Sequence, residues 1–84
     1  FLGPSNSTAI IKYDVLSAGD LSIKIYTVTG SLVKIVYDGP VPAGKGTMDW
    51  DGTNEKGSKV ASGIYYIRAK GPDLDKVDKI AVVR

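Results

Sequence analysis

Oxygen-bearing side chains crowd one short stretch of this chain, where Asp49, Asp51 and Asn54 stand close together with Glu55 beside them and Asp38 upstream. Oxygen donors in a short loop are what a calcium ion requires, and paired carboxylates are what glycoside hydrolysis requires. The spacing argues against the first, and a position in turns, where solvent holds carboxylates near their ordinary ionisation, argues against the second. An EF-hand loop starting at Asp49 needs Gly at its sixth position and Glu at its twelfth, and this chain has Asn54 and Val60 there. Asp-Gly and Asn-Glu-Lys-Gly are ordinary turn sequences, in which carboxylate and amide side chains bond local backbone amides. The chain contains no cysteine and no histidine. That excludes disulfides, thiol nucleophiles, Ser-His-Asp systems and thiolate or imidazole zinc sites. Gly44-Lys45-Gly46 is not a phosphate loop, because no Gly-Lys-Ser/Thr and no helix follow it. No catalytic, metal-binding or cofactor-binding residue is therefore assigned, and no cofactor is expected.

The aromatic residues carry the remaining chemical potential. Tyr26, Tyr37 and Tyr66 are the candidates for stacking against a sugar or a peptide, since alternation places Tyr66 and Arg68 on the face opposite Tyr65 and Ile67. Trp50, Tyr65 and Gly63 read as structural. The eleven basic and nine acidic residues are interspersed and leave a net charge of only +2. That pattern is a solvated surface with no nucleic-acid stripe.

The elements that position these residues read as strands. Ala9, Ile11, Tyr13 and Val15 share one face of a period-2 strand, and Leu21, Ile23 and Ile25 alternate with Ser22, Lys24 and Tyr26 in the clearest half-buried strand. Thr29-Gly30-Ser31 predicts a hairpin into residues 32–37. Residues 38–46 hold two prolines and three glycines, which predicts a long exposed loop. Strand character returns at 47–50, where Met48 and Trp50 point into the core, then at Lys59-Val60, 64–70 and 77–83. The last segment has apolar residues at both parities, which predicts burial on two faces or a bulge. At 84 residues the chain is one domain that buries roughly 60–65% of its unfolded surface, so every strand must contribute to a core with little reserve. The reading is all-β: an immunoglobulin-like (fibronectin III-like) antiparallel sandwich of about seven strands over residues 8–84, approached by a Gly/Pro/Ser/Asn-rich linker at 1–7.

Several motifs in order point to a family. Val60 to Ile67 is similar to the tyrosine-corner stretch of immunoglobulin-type domains. Ile25-Tyr26-x-x-x-Gly30-x-Leu32-Val33, Trp50-Asp51-Gly52-Thr53-x-x-x-Gly57, Ala61-Ser62-Gly63-Ile64-Tyr65 and the terminal Lys79-Ile80-Ala81-Val82-Val83-Arg84 resemble the FlgD-like immunoglobulin-like domain of flagellar hook-cap proteins. The same pattern is similar to C-terminal modules of secreted bacterial proteins, including sorting domains of the type IX secretion system. Gly3 before Pro4 departs from the Asn-Pro approach to the first strand that the resemblance would supply. The resemblance implies a non-catalytic module at the end of a bacterial secreted or cell-surface protein, acting as spacer, attachment or sorting domain. Its expected partners are other domains of the parent chain and the cell-surface or secretion machinery. A carbohydrate-binding module and a flagellar hook-cap domain are the alternatives. No apolar run approaches the roughly 20 residues that span a bilayer, and the start at Phe1 leads us to expect a domain of a longer polypeptide.

Overall fold

The computed structural model describes residues 9–72 and 74–83. The linker expected at 1–7, the fold start at Thr8 and the terminal Arg84 lie outside the described residues. Six strands follow in order: β1 (Ala9–Val15), β2 (Gly19–Thr27), β3 (Leu32–Val41), β4 (Gly44–Trp50), β5 (Gly63–Gly71) and β6 (Leu74–Val82). They form a four-stranded antiparallel sheet in the order β3-β2-β5-β6 and a two-stranded antiparallel ribbon of β1 and β4. Period-2 alternation drives this arrangement, because each strand has one apolar row to bury.

The two layers meet over one core. Ala9, Ile11 and Val15 of β1 and Trp50 of β4 face Leu21, Ile23 and Ile25 of β2, Tyr65, Ile67 and Ala69 of β5, and Ile80 and Val82 of β6. Leu21, Ile23 and Ile25 are wholly inaccessible to solvent, as expected of the strand that sits inside the larger sheet. Fully burying each such side chain is worth about 1.5–3 kcal/mol relative to exposure, which makes β2 the register anchor of the fold.

The hairpin between β2 and β3 turns at residues 28–31, where the Ser31 carbonyl accepts from the Thr27 amide (2.9 Å) and the Gly30 amide donates to the Thr27 carbonyl (3.0 Å). The long loop expected at 38–46 is absent. Strand β3 runs on to Val41, which is buried, and β4 begins at Gly44, so only Pro42 and Ala43 carry the chain from the sheet to the ribbon. Pro40 is tolerated because β3 lies at the edge of the sheet. Glycine is needed at two of the three positions: Gly44 has φ 121°, and at Gly46 a tyrosine ring takes the space a side chain would fill. A Cβ on Gly46 would overlap the ring of Tyr13, its cross-strand partner, and one on Gly39 would lie 3.4 Å from the Tyr37 hydroxyl.

Two further expectations are corrected. Lys59-Val60 is not a strand: Lys59 makes a single bridge to Thr53, which reduces seven strands to six. In β6 only Ile80 and Val82 are buried, while Val77 is 57% exposed and Val83 is also exposed. The pairing of β5 with β6 is continuous from Gly63↔Val82 to Gly71↔Leu74, without a bulge. The four-stranded sheet is covered by the ribbon on one face only, so the second apolar row of β6 stays in solvent.

Candidate interaction surface

The end of the sandwich around Trp50 is built for structure. Trp50 is 1% exposed, and its ring meets that of Tyr65 edge-on, with centroids 5.9 Å apart and planes at 64°. This is the favoured geometry for two quadrupoles of like sign. The Trp50 indole N–H donates to the Thr53 carbonyl (2.9 Å), and the Tyr65 hydroxyl donates to the Ala61 carbonyl (2.8 Å). Each aromatic thus buries its ring while tying down one end of the 51–62 segment. Gly63 opens β5 at φ 156°, a conformation that L side chains rarely adopt, where the chain leaves that segment for the strand.

Asp51 and Asn54, two of the three side chains that invited a calcium reading, accept hydrogen bonds from their own turn. Asp51 Oδ1 accepts from the Thr53 hydroxyl (2.6 Å) and amide (3.2 Å), while Asn54 Oδ1 accepts from the amides of Lys56 (2.9 Å) and Ser58 (3.1 Å). The Thr53 hydroxyl bond is the main cause that holds the Asp51 carboxyl below its usual range; desolvation opposes it, and the Thr53 amide and the charge of Lys34 assist it. Asp49 lies on β4 opposite Ile10, on the solvent side of the ribbon. Among the described residues no three acidic side chains converge.

Glu55, read as a turn residue, has a role that no local sequence signal announced. Its amide donates to the Val33 carbonyl (3.2 Å) and its carboxylate Oε1 accepts from the Ile35 amide. Both partners lie on the free edge of β3. The register of β2 with β3 shifts twice there, between Ile23 and Lys24 and between Ile25 and Tyr26. The 51–60 segment therefore docks on a bulged edge and satisfies backbone groups that β2 does not reach. The contact joins residues about twenty positions apart, which no periodicity or turn motif encodes.

The outer face of the four-stranded sheet is the surface with chemistry to offer. Tyr26 of β2 and Tyr66 of β5 are directly opposite each other, as are Lys24 and Arg68. Ser22, Lys24, Tyr26, Arg68 and Lys70 line a shallow groove of about 170 Å³. Arg68 makes a two-point contact with Asp75 of β6, from Nε to Oδ1 (3.2 Å) and from Nη2 to Oδ2 (3.1 Å). That hydrogen-bonded pairing favours the charged form of both groups: it holds the Arg68 guanidinium protonated, with Tyr26 assisting, and it holds the Asp75 carboxyl below its usual range. Exposed Ile35 and Leu32 of β3 flank the face, opposite Lys24 and Tyr26, and exposed Val77 of β6 flanks its other side. The structure does not bring Tyr37 to this group. Tyr37 pairs with core-facing Ile23, packs against the core and donates its hydroxyl to the Pro40 carbonyl (2.6 Å).

Comparison with known proteins agrees with this architecture. The profile of the FlgD Ig-like domain matches residues 6–75. Two solved structures are similar to the chain. FLGD from P. aeruginosa superposes with a TM-score of 0.69 at 20% identity, over 88% of this chain and 57% of that one. PorZ, described as an essential bacterial surface component of the type IX secretion system of Porphyromonas gingivalis, superposes with a TM-score of 0.60 at 27% identity, over 99% of this chain and 10% of that one. The chain thus spans a little over half of the first and a tenth of the second. No curated protein sequence matches it.

Proposed function

The chain belongs to the FlgD Ig-like domain family, and we propose that it is a non-catalytic β-sandwich module of a larger bacterial secreted or cell-surface protein, acting as spacer, attachment or sorting domain. The observation that carries this reading is modular. A unit of this fold makes up 57% of one similar chain and only 10% of another, so it recurs beside different neighbours. The likeness to PorZ supports the link to export, whereas the likeness to FLGD at 20% identity speaks of fold alone and gives the hook-cap alternative no advantage. The polar chemistry points the same way, because Asp51, Asn54 and Glu55 accept from the Thr53 hydroxyl and from backbone amides.

Attachment would use the outer face of the four-stranded sheet. Tyr26 and Tyr66 offer the same face as Lys24 and Arg68, a combination that suits a sugar or peptide with anionic groups. The test is to fuse the chain to the C-terminus of a periplasmic reporter in a bacterium with a type IX system and in a matched strain lacking it. System-dependent appearance of the reporter outside the cell identifies a sorting domain. Retention in both strains, together with surface binding that is lost in Tyr26→Ala/Tyr66→Ala, identifies an attachment module. Retention with no binding leaves the spacer role.

A further inference from the structure

The free edge of β6 carries a charge pattern that is complementary to itself. Strand β6 pairs with β5 along one side, and no strand pairs with its other side among the described residues. Its exposed residues include Asp75, Lys76, Val77, Asp78 and Lys79, with Val77 more than half exposed. We propose that two copies of this domain associate edge to edge through β6, antiparallel about a twofold axis at Val77, extending the sheet from four strands to eight.

The register follows from the sequence of the strand, Leu74-Asp75-Lys76-Val77-Asp78-Lys79-Ile80. A twofold axis at Val77 sets Asp75 opposite Lys79 of the second copy, Lys76 opposite Asp78, Leu74 opposite Ile80, and Val77 opposite itself. Opposite charges therefore meet at all four charged positions and apolar residues meet at the remaining three. Residues of like parity face each other, so the core-side row and the outer row of both copies stay on their own sides of the sheet. The neighbouring registers that keep this property fail. An axis at Lys76 sets that lysine against its own copy, and an axis at Asp78 sets that aspartate against its own copy. Parallel in-register pairing sets every charge against its like. Simple protection of an edge needs only charge of one sign, commonly lysine, to repel a second strand. The alternation here replaces that repulsion with attraction at all four charged positions in the register centred on Val77.

The monomer keeps these groups available. Lys76 and Asp78 form a within-strand ion pair at 3.4 Å with side chains 60% and 63% exposed, which exchanges for the intermolecular pair at little cost. Asp75 is held by Arg68 from the adjacent strand and is 55% exposed, so the same carboxylate can also receive Lys79 of the second copy. A seven-residue edge contact buries less than the roughly 1,200 Å² of a stable complex, so the association is weak.

Sedimentation of the 84-residue chain up to about 1 mM tests the association, and single-cysteine variants test its register, since the chain has no cysteine of its own. Val77→Cys should cross-link to its copy, because directly opposite Cβ atoms lie about 4.5–5.5 Å apart. Lys79→Cys should not, because its two copies would stand four residues out of register, about 13 Å apart. Lys76→Asp should weaken the dimer roughly tenfold by creating two like-charge pairs, and Lys76→Asp/Asp78→Lys should restore it. Circular dichroism of each variant checks that the fold is intact. A monomer at 1 mM, equal cross-linking at positions 77 and 79, or no recovery in the double swap would each overturn the proposal.

Discussion

The two edges of the four-stranded sheet face the same hazard and meet it in different ways. Each presents unpaired backbone groups that another strand could join. At β3 the chain itself covers part of the edge. The register shifts twice along β2, and Glu55 bonds both the Val33 carbonyl and the Ile35 amide, so a turn about twenty residues away closes part of the row. At β6 the register with β5 never slips, no segment closes over the edge among the described residues, and charged side chains occupy the row. The contrast shows that one sheet can cover one side by tertiary contact and leave the other open, with its pairing governed by the charge order of the strand. It follows that β3 depends on the 51–60 turn, whereas β6 depends on its own sequence.

The largest expected effect comes from removing the β6 side altogether. Deleting residues 77–84 strips Ile80 and Val82 from the core and exposes β5 as a new edge without comparable protection, so the domain should unfold or aggregate. A truncated chain that stays monomeric with an unchanged thermal midpoint would show that β6 is dispensable and that the two edges are not comparable.

Trp50→Ala should cost about 3–5 kcal/mol, read as a shift of the denaturant midpoint, because it empties a core site. It also releases the Thr53 carbonyl that the indole holds at the start of the β3-closing turn. A red-shifted, solvent-exposed fluorescence spectrum from native Trp50 would contradict the buried site on which the prediction depends.

Glu55→Ala is the direct test of closure at β3. It should lower stability by about 0.5–1.5 kcal/mol and speed exchange of the Ile35 amide while leaving β6 amides unchanged. Equal exchange at both edges would mean that the Glu55 contact closes nothing.

Tyr65→Phe should lose a similar or smaller amount, about 0.5–1.5 kcal/mol, without loss of fold. It removes the bond to the Ala61 carbonyl at the far end of the same segment, and identical denaturant midpoints for mutant and wild type would count against that bond.

The smallest expected effect is a pH dependence within the turn. Asp51 is held below its ordinary ionisation range mainly by the Thr53 hydroxyl, so its contribution is fully present above the unfolded carboxylate value near 4 and is lost as the pH falls through the lower folded value. Asp51→Asn should flatten the stability profile in that acid window and change little at neutral pH. An unchanged acid limb would show that Asp51 does not contribute there.

Much of this was legible in the residues. The absence of His and Cys restricted the available chemistry, and strict alternation at Leu21, Ile23 and Ile25 identified the strand that anchors the core. The all-β sandwich and its family motifs followed from the same short-range patterns. Among the candidate contact residues, alternation separates Tyr66 from Tyr65 correctly because parity is a local property of an extended chain. It does not place Tyr37, because the bulges of β3 break the parity count before that residue is reached.

What the sequence determined by itself is thus what the neighbouring residues determine: strand period, turn chemistry, the charge order along β6 and the chemistry that is impossible. Tertiary structure decided the rest. Proline and glycine between 38 and 46 argue for a loop when read alone, yet an edge position excuses Pro40, and the ring of Tyr13 occupies the space above Gly46. Glu55 became an edge clamp only once folding brought β3 against its turn, and the second apolar row of β6 stayed in solvent because no second layer reaches that face. The physical reason is the same in each case. Backbone preference is set within a few residues, but which surface is covered depends on what the rest of the chain brings to it.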